Sequence, residues 1–451
     1  MNTDIRITLI MIALLAASLA CTLLPQPASE VEMGATPVST SDAARVIRDR
    51  IPPTITPTAA KETAQPQEDL PSAQLRIAYV KDGDVWYWGE GGESRPLTDR
   101  GGVEDVILSD DGKLVVYTRQ RKDGRIALLV TDIEEGGFRP LVHADQLEAM
   151  KNDPNALGVA PYRFDWVPGT HTVIYNTMLP SEAALILQDD LRLVNADNGN
   201  HTELLAPGNG GAFYYSPDGS QIAVVQPSSI SVMNADGSER RELFRYKNVY
   251  TYSEFEYYAK PLWISDGSRL MVVIPAPDPM GDPTAPTKVW EIPIDGSEPI
   301  LRKALVVSPG FSAYLSPDLK KLAYKSSMDP DSVFRSLEIV ELDGPQEITY
   351  DQGEIFFDSW SPAGERFVYT LDNSIFVGGL GEPPQAIGRE GPVYFLRWVD
   401  ADSFLYILKF DNGWQLRRWE DGSPDKQIDR SSTLIRYDFI QVDVIPDSNN
   451  E

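Results

Sequence analysis

The stretch Phe213-Tyr214-Tyr215-Ser216-Pro217-Asp218-Gly219-Ser220-Gln221-Ile222-Ala223-Val224-Val225 holds two short apolar strands joined by a turn. Proline at the second turn position presets φ, the aspartate side chain accepts from backbone amides, and glycine takes the positive φ that returns the chain, so the segment reads as a β-hairpin. Ser109-Asp110-Asp111-Gly112, Ser265-Asp266-Gly267, Ser316-Pro317-Asp318 and Ser361-Pro362-Ala363-Gly364 repeat the turn. Looser copies stand at Val167-Pro168-Gly169 and Val399-Asp400-Ala401-Asp402. The copies recur about every 40 to 60 residues, the spacing of propeller blades.

Each turn follows a strand ending in a large residue (Trp166, Tyr215, Trp263, Tyr314, Trp360 or Trp398) and precedes a run such as Lys113-Leu114-Val115-Val116-Tyr117. A third strand then runs into an acidic glycine turn, as at Ala235-Asp236-Gly237, and a short fourth completes the unit, as in Arg241 to Phe244. Complete units begin near Val103, Tyr162, Gly211, Pro261, Phe311, Ile355 and Val393. Residues 76–98 supply three further strands without an innermost one, and Tyr437 to Val444 is a strand left over. Together they make an eighth blade, closed by N- and C-terminal strands, which hides an open sheet edge. The expectation is an all-β, eight-bladed propeller of four-stranded antiparallel blades over residues 75–446, with seven blades as the alternative because the unit from Trp398 to Ile428 has the weakest turns. Helical periodicity is confined to Ser41–Ile51 and Ala144–Lys151.

The chain has 451 residues, enough to bury extensive surface between blades, and its 33 glycines and 35 prolines suit a turn-rich β protein. Ile7 to Ala20 is mainly apolar and follows Arg6, so residues 1–21 read as a signal segment. The single cysteine, Cys21, directly follows Ser18-Leu19-Ala20, where a bacterial lipoprotein carries its lipidated residue. The two positions before Ala20 depart from the usual lipobox. Three outcomes stay open: lipidation at Cys21, ordinary cleavage after Ala20, and a retained signal anchor. Residues 22–74 are rich in proline, threonine, alanine and serine, with too few large apolar residues for a core, and read as a disordered tether reaching about 40 Å. Residues 447–451 are a tail. One cysteine excludes an internal disulfide framework.

Sixty-seven acidic against forty basic residues give a formal charge of −27, which argues against nucleic acid and anionic lipid as partners. Solubility of an exposed extracellular domain accounts for the charge more simply than affinity for cations.

The Ser-Pro-Asp-Gly hairpins, the strands Ile77-Ala78-Tyr79 and Leu322-Ala323-Tyr324 and the Asp-Gly turns resemble the TolB-like, WD-like propeller repeats of bacterial envelope proteins. The resemblance covers nearly all of residues 75–446 and implies a propeller on the extracytoplasmic side of the membrane, in the bacterial cell envelope. It implies no particular activity, since such propellers serve as scaffolds, binding modules and accessory domains of peptidases. The sequence differs from the six-bladed prototype in blade count.

No nucleophile elbow, H-E-x-x-H, Walker loop or C-x-x-C pair occurs, so the expectation is a chain that is not an enzyme and carries no catalytic residues. Of the three histidines, His171 follows a first strand and His201 a third, placing them on one face, whereas His143 follows a fourth strand on the other. No three-histidine metal site is expected. The long insertions, Leu141–Pro161, Asn176–Asp190, Arg245–Lys260, Pro275–Thr287 and Ser326–Ser336, join second to third strands or one blade to the next, and so crowd one rim. Long loops on a rigid scaffold are where function usually sits.

Arg245–Lys260 is the aromatic one. Tyr246, Tyr250, Tyr252, Phe255, Tyr257 and Tyr258, with Lys260, form the candidate binding face for a protein, peptide or glycan. The competing reading packs half of these rings onto the adjacent blades. No cofactor is expected; Asp278, Asp282, Asp329 and Asp331 leave calcium as a weak alternative, since their spacing matches no EF-hand. The leading reading is a membrane-tethered, monomeric binding module. The alternatives are a propeller enzyme acting on polysaccharide, as lyase or hydrolase, and a purely structural envelope scaffold.

Overall fold

The computed structural model describes residues 74–181, 185–308, 313–326, 334–410 and 412–442. The signal segment, Cys21, the tether up to residue 73 and the tail lie outside the described residues. The remainder is an eight-bladed propeller, and the first blade closes the ring as the strand count requires. Its sheet runs, from outside to inside, β3 (Arg95–Pro96), β2 (Asp84–Gly89), β1 (Gln74–Lys81) and β33 (Arg436–Val442). Ile77 pairs with Phe439 and Tyr79 with Tyr437, so the C-terminal strand fills the innermost slot.

The second blade is β4 (Val103–Leu108), β5 (Leu114–Gln120), β6 (Ile126–Asp132) and β7 (Gly136–Val142). The following blades open on the inner strands β8 (Ala160–Trp166), β13 (Ala212–Tyr215), β17 (Leu262–Trp263), β21 (Tyr314–Leu315), β25 (Ile355–Trp360) and β29 (Val393–Trp398). They end on the outer strands β12 (His201–Leu205), β16 (Arg241–Arg245), β20 (Ile300–Leu305), β24 (Glu347–Gly353), β28 (Glu382–Glu390) and β32 (Lys426–Ser431). The last of these blades is complete: β30 (Ser403–Phe410) and β31 (Gly413–Glu420) pair along their whole length despite the weak turn between Val399 and Asp402.

One blade departs from four strands. The insertion expected as a loop over Asn176–Asp190 instead prolongs β9 (Thr172–Pro180), against which β10 (Leu185–Leu187) folds as an extra hairpin. Met178, Leu179 and Pro180 continue the apolar pattern of the strand past the point where the other blades turn, and this keeps the ladder going.

Burial peaks on the two middle strands of a blade and is lowest on the outer strand. The middle strand Gln221–Gln226 is buried at each of its four central residues because both its faces meet neighbouring blades, whereas β16 of the same blade is mostly exposed. Core clusters accordingly span two blades: Ala223, Val225, Ile230 and Val232 pack on Trp263, Leu270, Val272 and Ile292 of the next. Two of the large residues before the turns act as inter-blade staples. Trp263 donates its indole N–H to the Tyr214 carbonyl at 3.1 Å, and Trp360 does the same to Tyr314 at 2.9 Å.

The turns work as their chemistry predicts. Ser216 Oγ donates to Asp218 at 2.6 Å and accepts from Gln221 N at 2.9 Å, while Gly219 sits at φ +71° and donates to the Ser216 carbonyl. At the closure, Asp429 accepts from Tyr79 Oη at 2.6 Å and Lys81 Nζ at 2.9 Å. Fully buried Asp438 accepts from Leu108 N and Arg397 Nη1, both at 2.8 Å, which ties the closing strand to both adjacent blades.

Candidate binding face

The inner strand of every blade starts at one rim, so connections between blades and between second and third strands emerge there together. Turns at the opposite rim are short and interlocked. Gly169 N donates to Asp110 Oδ2 of the preceding blade at 2.8 Å, and Arg366 pairs with Asp402 and Asp421 of the following one.

At the long-loop rim the expected site residues divide in two. Tyr246 donates to the Gln226 carbonyl at 2.8 Å and meets the edge of Tyr257, 6.4 Å away. Tyr257 donates to the Val273 carbonyl at 3.1 Å, and burial pushes its phenol far above the ordinary value. Tyr258 donates to both oxygens of Asp189 at 2.9 Å. These three, half-buried, hold the loop onto its blades, and Phe255 is likewise half-buried.

Tyr250 and Tyr252 are the exposed pair, at 69% and 55%, with ring centroids 6.5 Å apart. The backbone fixes both. Tyr250 N donates to the Pro277 carbonyl at 2.8 Å, and Tyr252, at a strained φ of +56°, sends its hydroxyl to Asp278 on the same neighbouring loop. Lys260 is exposed at the end of the segment.

The sequence reading did not find Asp189. Burial, with Glu256 and Asp190 nearby, raises its carboxyl to about 6, against the opposing hydrogen bond from Tyr258. It sits beside the start of β8, where Tyr162 feels its charge and where Arg163, 7% exposed, stacks over Phe213 and Tyr214 at 4.6 and 4.8 Å. Only its pairing across blades distinguishes Asp189 from other loop aspartates, and no local pattern carries that.

Asp278 also accepts from Gly281 N at 2.8 Å, and these bonds hold its carboxyl below the usual range. Asp282 accepts from Thr284 Oγ1 at 2.8 Å. Asp329 and Asp331 lie outside the described residues. No group of three or more histidine, cysteine or carboxylate side chains stands at metal-binding distance among the described residues.

The histidine placement needs one correction. His171 bridges Asp111 at 3.2 Å and Asp197 at 3.0 Å on the tight-turn rim, as its position after a first strand implies. His143 and His201, expected on opposite faces, lie within electrostatic reach of each other, and burial together with the charge of His143 lowers His201. The helix α1 (Ala144–Glu148) and the residues after it reach the outer strand β12 of the next blade. Gln146 and Met150 thus share a cleft with His201 and Arg192.

No family model matches the chain, and no curated protein matches it. Solved structures do. A prolyl endopeptidase structure is 15% identical over 75% of this chain and 50% of its own length, with a TM-score of 0.50. An oligogalacturonate lyase in complex with manganese is 14% identical, covering 67% of this chain and 81% of its own, with a TM-score of 0.43. TolB from Acinetobacter baumannii is 13% identical, covering 60% and 62%, with a TM-score of 0.32. Similarity at these identities extends to the propeller fold alone.

Proposed function

We propose that the chain is a membrane-tethered, extracytoplasmic binding module that captures a protein, peptide or glycan on its long-loop rim. The observation that carries this reading is where exposed large apolar side chains gather. Of the ten exposed large apolar side chains among the described residues, six (Ile186, Tyr250, Tyr252, Met280, Val306 and Phe334) belong to connections of that rim, while Phe138, Ile300, Leu301 and Phe356 lie on blade strands. A rigid closed scaffold below them keeps the ordering cost of binding low. Peptide and glycan arrays probed with the full chain in detergent micelles are the test. Capture of at least one class supports the module, and silence on both contradicts it.

A specific observation favours the enzyme reading as second. Asp189, a carboxyl tuned to about 6 and bonded to Tyr258 near the start of an inner strand, has the acidity of a proton-transfer group. Turnover of an array ligand, lost in Asp189→Asn, separates enzyme from binder. The tether and anchor are proposed from the sequence: fatty-acid labelling of the wild type that disappears in Cys21→Ala, with release to the soluble fraction, supports lipidation, and an unlabelled wild type removes it.

A further inference from the structure

We propose that the Tyr250 and Tyr252 ledge takes an extended, lysine- or arginine-bearing segment of a protein partner, an inference that rests on the binding-face reading and names the chemistry of its ligand. The ledge is built from two loops. Arg245–Lys260 carries the tyrosines, and the connection from β18 (Arg269–Ile274) to β19 (Thr287–Pro293) supports them through Pro277 and Asp278. Prolines at 275, 277, 279, 283 and 286 restrict the supporting loop, and Met280, 38% exposed, extends its apolar surface. Tyr252 holds a positive φ of 56°, and backbone strain of this kind collects at binding sites.

The charges around the ledge select the ligand. Glu254, Glu256, Asp278 and Asp282 make no ion pair among the described residues, and the sequence from Pro275 to Pro286 contains no lysine or arginine. The tyrosine loop carries three cations, Arg245, Lys247 and Lys260, of which Arg245 is paired with Glu242 at 2.6 Å. Four carboxylates outside the ion pairs of the described residues, on the two loops that carry and support the open rings, suit an ammonium or guanidinium group, which stacks on the ring and donates to the acid. A neutral sugar would leave the charges unmatched, and an acidic chain would be repelled.

Two other exposed aromatic rings of the molecule are already covered by cations. Phe138, 37% exposed, is covered by Arg100 at 4.6 Å and Arg119 at 5.2 Å, and Phe356, 50% exposed, by Lys325 at 4.3 Å. Trp86 lies under Lys81 at 4.2 Å. Among the described residues no cation stands over Tyr250 or Tyr252, although Tyr250 is the more exposed of the pair. The partner supplies the missing cation.

The test measures binding of three labelled peptides to the full chain in detergent micelles by fluorescence anisotropy. The peptides are matched in length and differ only in carrying lysine and arginine, serine, or glutamate at alternate positions. The basic peptide should bind, and Tyr250→Ala with Tyr252→Ala should weaken it by about tenfold or more. Glu254→Gln, Glu256→Gln and Asp282→Asn together should weaken it several-fold and flatten its salt dependence. Glu135→Gln, Glu239→Gln and Glu298→Gln, an equal charge change on the tight-turn rim, should leave it unchanged. Equal weakening by that control set would reduce the effect to bulk charge and overturn the inference. Tyrosine-dependent binding of the serine or glutamate peptide, or of a neutral oligosaccharide, overturns it as well, yet leaves the binding face standing. Indifference of the basic peptide to the tyrosine substitutions overturns it outright. All substituted side chains are exposed, so an unchanged melting temperature confirms folded variants.

Discussion

At the scale of single residues, the same side chains that shape the turns also join the blades. His171 shows this most clearly, since both ring nitrogens face carboxylates, Asp111 in the preceding blade and Asp197 in its own. Partial burial pulls its pKa down, but the bonds to Asp197 and Asp111 outweigh this and raise it above the ordinary 6.5. A histidine with a raised folded pKa stabilises fully below the ordinary value and loses that contribution as pH rises through the raised one. The melting-temperature deficit of His171→Gln relative to wild type should therefore be larger at about pH 5.5 than at about pH 9. A deficit that grows with pH would contradict the assignment. The turn roles of Ser216, Asp218 and Gly219 were legible because they are local. The role of His171 was not, because Asp111 lies sixty residues away in sequence and only the packing of blades brings it close.

At the scale of elements, the closing strand was legible by counting and the extra hairpin was not. Three strands at one end and one at the other leave a single arrangement without an open edge, and β33 takes it against β1. Side chains also join the closed blade to its neighbour. Lys81 and Tyr79 hold Asp429 of the preceding blade, and Glu90 pairs with Arg418 at 2.6 Å across the same seam. By contrast, Asn176–Asp190 combines strand-forming residues with a loop-like length, and pairing of β10 with β9 is settled by where the blade edge lies. The tyrosine loop divides for the same reason. Nothing in its composition tells Tyr257 from Tyr252. Tyr257 faces blade residues such as Val273, to whose carbonyl it bonds, whereas Tyr252 reaches sideways to a loop. The two readings of that loop, core and binding face, are each right for part of it.

At the scale of the whole molecule, the propeller separates its tasks between two rims. One is tight and cross-linked; the other carries long loops, strained tyrosine and unpaired acid. The chain's net charge is −27 and acidic side chains stand on both rims, Asp111 and Asp197 on one and Asp278 and Asp282 on the other, so charge alone selects no site. The most direct measurement pairs thermal unfolding with capture of an array ligand for two double variants. Tyr250→Ser with Tyr252→Ser removes exposed rings and should weaken capture by on the order of 2 kcal/mol while leaving the melting temperature nearly unchanged. Tyr246→Ser with Tyr257→Ser removes half-buried rings packed on the blades and should lower the melting temperature clearly, at about 1 to 3 kcal/mol for each ring. Unimpaired capture by the first variant, or a collapse of its stability, would contradict the proposal that this rim is where the protein meets its partner.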